Sequence, residues 1–254
     1  MRLSIATLAA VLAAAGLSAG PAPAQGIGVP NIVLVHGAWA DGSGWKAVHD
    51  ILAADGYAVS VVQNPLTALA DDVAAVDRVL ARIDGPVVLV GHSYGGAVIS
   101  EAGDDPKVVG LVYVAAFMPD VGESVFDLIP KSDAPPPFTV TDGQAFLTGE
   151  AFLHAFAPDV GDDLAAFMYA SQVPIAVAEA GAAPLTVAAW RGKPSWYALA
   201  AGDLIIPPDA QRFFAGRAGS TVVELDGSHV AFVGPQAEAV ARLIEKAATG
   251  IAVQ

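Results

Sequence analysis

The chain has no cysteine and few cations. Among its 254 residues, 12 Lys+Arg stand against 26 Asp+Glu. Without cysteine there can be neither a disulfide framework nor a thiolate metal site. The net charge of −14, spread along the chain rather than gathered in a tail, leaves no basic footprint for nucleic acid or an anionic membrane surface. Charged residues are scarce too, at 15% against 54% apolar, and that balance excludes a disordered chain. The five histidines are scattered, so no metal centre is expected, and no cofactor is called for.

Long apolar runs are also missing. The longest lies at the start, in "MRLSIATLAAVLAAAGLSAGPAPAQG". Its stretch from Leu3 to Leu17 falls short of the roughly 20 residues that span a bilayer. Arg2 supplies a positive start, and Ala22-Pro23-Ala24 a small-x-small cleavage site before Gln25, so residues 1–24 read as an export signal. A buried N-terminal helix would need a polar face, and this stretch has none. Its removal leaves 11 Lys+Arg against 26 Asp+Glu in a secreted or periplasmic protein with no stable membrane association.

Short β-branched runs follow at 31–35, 58–62, 86–90, 108–116, 195–200 and 221–225. They are nearly continuous rather than alternating, as in parallel strands covered on both faces. Helical patterns lie near 45–55, 69–83, 95–103, 208–218 and 236–248, and the alternation predicts a doubly wound, mostly parallel α/β sheet. The interval 120–190 breaks the rhythm, being far longer than an ordinary connection. It carries helical patches, including "GQAFLTGEAFLHAFA", and six of the ten phenylalanines. Those aromatics suit either the core of an insertion or the lining of a pocket, and composition does not separate the two.

The stretch "VGHSYGG" (90–96) runs an apolar strand into a helical pattern with almost no loop. A serine raised on so sharp a turn, with Gly91 and Gly95 admitting neighbouring backbone, is a nucleophile elbow. Ser93 then needs a base and an orienting carboxylate. His229, in "LDGSHVAF" after the last strand, overhangs the carboxyl edge of the sheet. His49 and His154 lie in helical patterns, and His92 points away from a substrate in an elbow. Asp203, in "LAAGDLIIPP" directly after the strand "SWYALA", faces the same edge. Asp209 and Asp226 compete for its role, Asp226 being better placed to cap its own turn. Ser93, Asp203 and His229 follow the order that accompanies G-x-S-x-G. Two N–H donors for an oxyanion are expected from Tyr94 and from the loop after the first strand, where Ala38 is favoured over Trp39.

Taken together, "VLVHGAWADGSGW", "VGHSYGGAVI", "VYVAAFMPDVGES", "GDLIIPP" and "GSHVAF" resemble an α/β-hydrolase. The branch is that of small bacterial and plant esterases related to hydroxynitrile lyases and methyl-ester esterases, and the match covers 31–248. The resemblance implies the roles already assigned, makes 120–190 a helical cap, and points to hydrolysis of a small-molecule carboxylic ester. A lyase on the same triad is the alternative. Related lyases add a cap lysine, and Lys131 is the only lysine in this one. A non-enzymatic ligand receptor is a further use of the fold. Residues 124–190 carry only Lys131 against eight acids, with Arg191 and Lys193 just beyond, so a neutral, largely apolar substrate is expected.

Overall fold

The computed structural model describes residues 28–129 and 137–251. The signal expected at 1–24 and the cap lysine Lys131 lie outside the described residues.

Six strands form one parallel sheet. They are β1 (Asn31–Val35), β2 (Ala58–Val62), β3 (Val87–His92), β4 (Val108–Val114), β8 (Ser195–Ala200) and β9 (Thr221–Leu225), in the order β2-β1-β3-β4-β8-β9. The continuous apolar runs have their reason in this order. β3 and β8 are interior and buried at every position, whereas the edge strand β9 exposes Thr221, Val222 and Glu224. Side chains alternate between the two faces. Ile32, Leu34, Val88 and Val90 pack against α1 (Lys46–Ala54) and α8 (Ala237–Gly250). Val33, Val35, Val87 and Leu89 meet α2 (Leu69–Leu80), α3 (Gly95–Ala102) and α7 (Pro208–Ala218) on the other face. Among the described residues no helix is long and apolar enough to cross a membrane.

The strand order reverses direction between β1 and β3. Ligands of open α/β sheets bind at the carboxyl ends of strands beside such a switch. The loops after β1 and β3, which carry Ala38 and Ser93, are therefore neighbours at the place where the fold accepts a ligand.

Between β4 and β8 the chain leaves the sheet. The excursion contains α4 (Val125–Leu128), α5 (Gly149–Ala151) running into a π-helical turn over Phe152–Phe156, and α6 (Asp162–Ala170). To these expected helices it adds a small antiparallel sheet of β5 (Phe138–Thr141), β6 (Gln144–Leu147) and β7 (Ile175–Ala176). The first residues of "GQAFLTGEAFLHAFA" are thus strand rather than helix. The reason is turn chemistry: Asp142 and Gly143 both hold positive φ, at 49° and 76°. Two successive left-handed residues close a tight hairpin, for which Asp-Gly is a favoured pair. The aromatics divide between the two roles left open above. Phe152 and Phe156 are fully buried, while Phe167 is 65% exposed.

Candidate active site

Only Ser93 and Tyr94 separate β3 from α3. Ser93 holds φ at 54°, a left-handed conformation that costs a non-glycine residue about 1 kcal/mol or more. Its neighbours enforce that turn. A Cβ on Gly91 would lie 2.5 Å from the Gly95 carbonyl oxygen, and one on Gly95 would lie 2.7 Å from those of Val35 and His36. No side chain fits at either position, so the elbow wedges its serine against the first strand.

His229 and Asp203 arrive from the loops after β9 and β8. Ser93 Oγ donates to His229 Nε2 at 2.8 Å, and His229 Nδ1–H donates to Asp203 Oδ2 at 2.7 Å. The line spans 136 positions of sequence between serine and histidine. All three residues are at most 2% exposed, so water screens little of their interaction. An imidazole so held presents a lone pair to the hydroxyl and a carboxylate behind its own N–H. It can take the serine proton as the oxygen attacks a carbonyl, and return it to a leaving group.

The Asp203 carboxylate is fixed from four sides. Oδ1 accepts from the amides of Ile205 (2.8 Å) and Ile206 (2.9 Å), and Oδ2 accepts from Gln211 Nε2 (2.9 Å) besides His229. Gln211 is itself fully buried, donating also to the Ile206 carbonyl and accepting from the Ala200 amide. Sequence reasoning did not find it; a glutamine in the first turn of the helix after the acid loop was the available signal. The competing acids stay outside. Asp209 is 97% exposed beside Arg212, and Asp226 is exposed. The Asp226 carboxylate takes no hydrogen bond among the described residues, so it does not cap its turn as expected. That service comes from the insertion, where Asp159 accepts the Ser228 amide at 2.6 Å and the Ser228 hydroxyl. Nothing near Asp159 in the sequence announces this.

The remaining histidines fall into two groups. His49 is half-buried beside Asp50, and His154 is exposed. His92 lies beneath His229, its Nε2–H donating to the His229 carbonyl at 3.0 Å, with burial first and His229 second holding its pKa well below the ordinary value. His36 donates from Nδ1 to the Gly37 carbonyl and accepts the Asn64 amide at Nε2, and burial lowers its pKa. Both rings are neutral supports.

Two backbone amides on the neighbouring loops are unspent. Neither Ala38 N–H nor Tyr94 N–H has an acceptor among the described residues, whereas Trp39 N–H donates to the Val173 carbonyl at 3.0 Å. Of the two amides weighed after the first strand, that of Trp39 is thus already occupied. The Tyr94 side chain points the other way, donating at 2.7 Å to Asp72, a fully buried carboxylate that also accepts the Leu66 amide. Burial, opposed by these two hydrogen bonds, pushes the Asp72 pKa up to about 6. The cations flanking the insertion are committed elsewhere. Arg191 pairs with Asp120, and Lys193 donates to the carbonyls of Asp105 and Val108, at the amino end of β4.

Residues 32–243 match the model of the alpha/beta hydrolase family, and the chain belongs to that family. It is 36% identical over 121 residues to a carbendazim hydrolyzing esterase of Nocardioides sp. (strain SG-4G). It is 34% identical over 106 residues to methylesterase 7 of Arabidopsis thaliana. These alignments cover 41% and 35% of this chain, and 49% and 38% of the two relatives, so the chain spans about half or less of their length. Among solved structures, an extracellular α/β-hydrolase from a Paenibacillus species superposes with a TM-score of 0.73 at 21% identity, over 86% of this chain and 98% of that chain. That likeness shows the fold, and the relatives bear out the esterase branch read from the motifs.

Proposed function

We propose that this protein is an exported serine hydrolase that cleaves carboxylic esters of small neutral, largely apolar substrates through an acyl-enzyme. The observation that carries the reading is the buried line Ser93–His229–Asp203 with the free amides of Ala38 and Tyr94 beside it. Ser93 Oγ attacks the ester carbonyl while His229 Nε2 takes its proton. The two amides receive the charge that develops on the carbonyl oxygen, and the imidazolium then protonates the departing alcohol. Water activated by His229 attacks the acyl group in turn and releases Ser93. The names of the relatives, an esterase and a methylesterase, support ester hydrolysis, and the commitment of Arg191 and Lys193 elsewhere supports a neutral substrate. Export rests on the composition of residues 1–24, and the extracellular Paenibacillus relative supports it. Sequencing the amino terminus of protein from the native host tests it, with Gln25 the expected first residue.

Ser93→Ala tests the reading directly. Loss of a triad nucleophile costs roughly 10⁴–10⁶ in rate. A folded variant that keeps a tenth of wild-type activity on 4-nitrophenyl butanoate refutes the assignment. Substrate charge is tested with a neutral acyl series set against carboxylate-bearing analogues at fixed ionic strength. We expect kcat/KM to rise over the first few carbons, each buried methylene adding about 0.8 kcal/mol, and the anionic members to be poor. A preference for the anions overturns the neutral-substrate reading.

A further inference from the structure

A cavity of about 440 Å³ lies between α6 of the insertion and the chain that follows β1. Its volume is that of a site for a small organic group. None of Ser93, Asp203 and His229 lines it, but two of its residues sit beside the site in sequence. Trp39 follows Ala38, and Val233 lies four residues after His229. The facing wall is one stripe of α6, formed by Leu164, Phe167 and Met168 at helical spacing. Leu164 and Phe167 are 44% and 65% exposed, a large apolar surface left without protein to cover it.

Trp39 links the wall of this cavity to the rings packed on His229. Its ring meets Phe156 edge-on at 6.4 Å, and Phe156 lies 5.2 Å from the His229 ring. The indole is held from the insertion side: Nε1–H donates to the Ala145 carbonyl at 2.9 Å, and the ring stacks on Phe138. Trp39 itself keeps φ at 60°, so the backbone turns sharply just after the Ala38 amide.

The polar groups at the rim are already satisfied by one another. Asp41 accepts the Ser43 amide at 2.6 Å, Lys46 pairs with Asp50, and the Ser171 hydroxyl donates to the Phe167 carbonyl at 2.9 Å. Lys46 and Asp50 cancel one another and Asp41 adds a carboxylate, so no free cation is offered to an anionic ligand, and the rest of the lining is indole, phenyl, thioether and aliphatic surface. Such a lining accepts aromatic and branched apolar groups.

We propose that this cavity is the outer subsite of the ester site. It takes the neutral aromatic or bulky apolar end of an elongated ester, with the Trp39 indole as the partition between that end and the carbonyl at Ser93. The inference rests on the esterase reading above and narrows it to substrates with a bulky apolar arm.

The test uses the full chain and three probes: 4-nitrophenyl acetate, 4-nitrophenyl 4-phenylbutanoate with the bulk on its acyl side, and 4-phenylbenzyl acetate with the bulk on its alcohol side. In the double variant Leu164→Asp/Phe167→Asp, kcat/KM for at least one bulky ester is expected to fall tenfold or more relative to 4-nitrophenyl acetate. Trp39→Phe, which keeps a ring but drops the indole N–H, should move the same ratio upward. Binding gives a readout free of turnover. In Ser93→Ala protein, tryptophan fluorescence should report the affected bulky ester binding, with Kd raised tenfold by the two aspartates. Should the double variant fail to fold, Phe167→Ser at its exposed position replaces it, with at least a threefold fall expected. Ratios and Kd within twofold of the parent in a folded variant overturn the subsite while Ser93→Ala remains inactive. Hydrolysis by Ser93→Ala overturns the serine mechanism, and wild-type protein inert on all three probes overturns the esterase reading, so these failures are distinguishable from failure of the subsite.

Discussion

Asp203→Asn separates geometry from charge at the acid. The amide has nearly the shape of the carboxylate, and its Oδ1 still accepts from the Ile205 and Ile206 amides. The NH₂ group then replaces Oδ2, where Gln211 Nε2 and His229 Nδ1 both donate. Donor meets donor at two contacts. Gln211 cannot turn over to help, because its oxygen is committed to the Ala200 amide and its nitrogen to the Ile206 carbonyl. The histidine must yield instead. With Nδ1 now accepting, the proton moves to Nε2, the atom that should receive one from Ser93. In triads of this kind the wrong tautomer lowers kcat about 10⁴-fold, or about 5.5 kcal/mol of barrier. The assay is kcat and KM on 4-nitrophenyl butanoate, with circular dichroism to verify the fold. We expect kcat to collapse, KM to stay within a few-fold, and Asp226→Asn to behave as wild type. An Asp203→Asn enzyme within tenfold of wild type, or a worse loss from Asp226→Asn, refutes the reasoning.

Three further outcomes follow from the same contacts. Gln211→Met removes a hydrogen bond to a charged acceptor, worth about 1.5–3 kcal/mol, so kcat should drop about 10–150-fold at near-constant KM; an unaltered kcat excludes a positioning role. Asp72 has its pKa raised to about 6 from 3.8, so the folded state holds its proton more tightly than the unfolded state does. Its contribution to stability is present below about pH 4 and is lost as pH rises to 6, by about 3 kcal/mol. Asp72→Asn should therefore gain that amount on wild type between pH 4 and pH 7 in urea titrations, and parallel pH profiles would contradict it. Asp159→Ala leaves the buried Ser228 amide without its acceptor, at about 1–3 kcal/mol; activity should fall and Asp159→Asn should restore part of it, whereas equal loss in both variants argues against the hydrogen bond as cause.

The sheet was legible because burial and periodicity carry the same message in it. β1, β2, β8 and β9 begin and end where their apolar runs do, and in the interior strand β8 both faces are covered at every position. β3 runs on to His92, whose ring is buried by packing rather than by its own hydrophobicity. Ser93, Asp203 and His229 were legible for a related reason: each follows a recognisable strand, and such loops converge at one edge. What escaped was whatever depends on contacts distant in sequence. Asp159 meets Ser228 across 69 positions, and Tyr94 meets Asp72 across 22, and neither leaves a local periodic trace. The hairpin β5–β6 was readable from Asp142-Gly143 between short β-prone runs. The stronger helical pattern after Gly149 overshadowed it.

The order of the strands also sets when the chemistry can begin. The elbow at Ser93 needs only β1, β3, β4 and α3, all of which lie in the first half of the chain. Its proton acceptor comes after the whole excursion and after β9, within the last thirty residues. A chain made from its amino terminus therefore carries the strained serine for most of its synthesis with nothing to activate it. On the proposed mechanism reactivity arrives with the loop after the last strand, so recovery of activity on refolding should trail the return of helix signal and report closure of the Ser93–His229 contact across 136 positions.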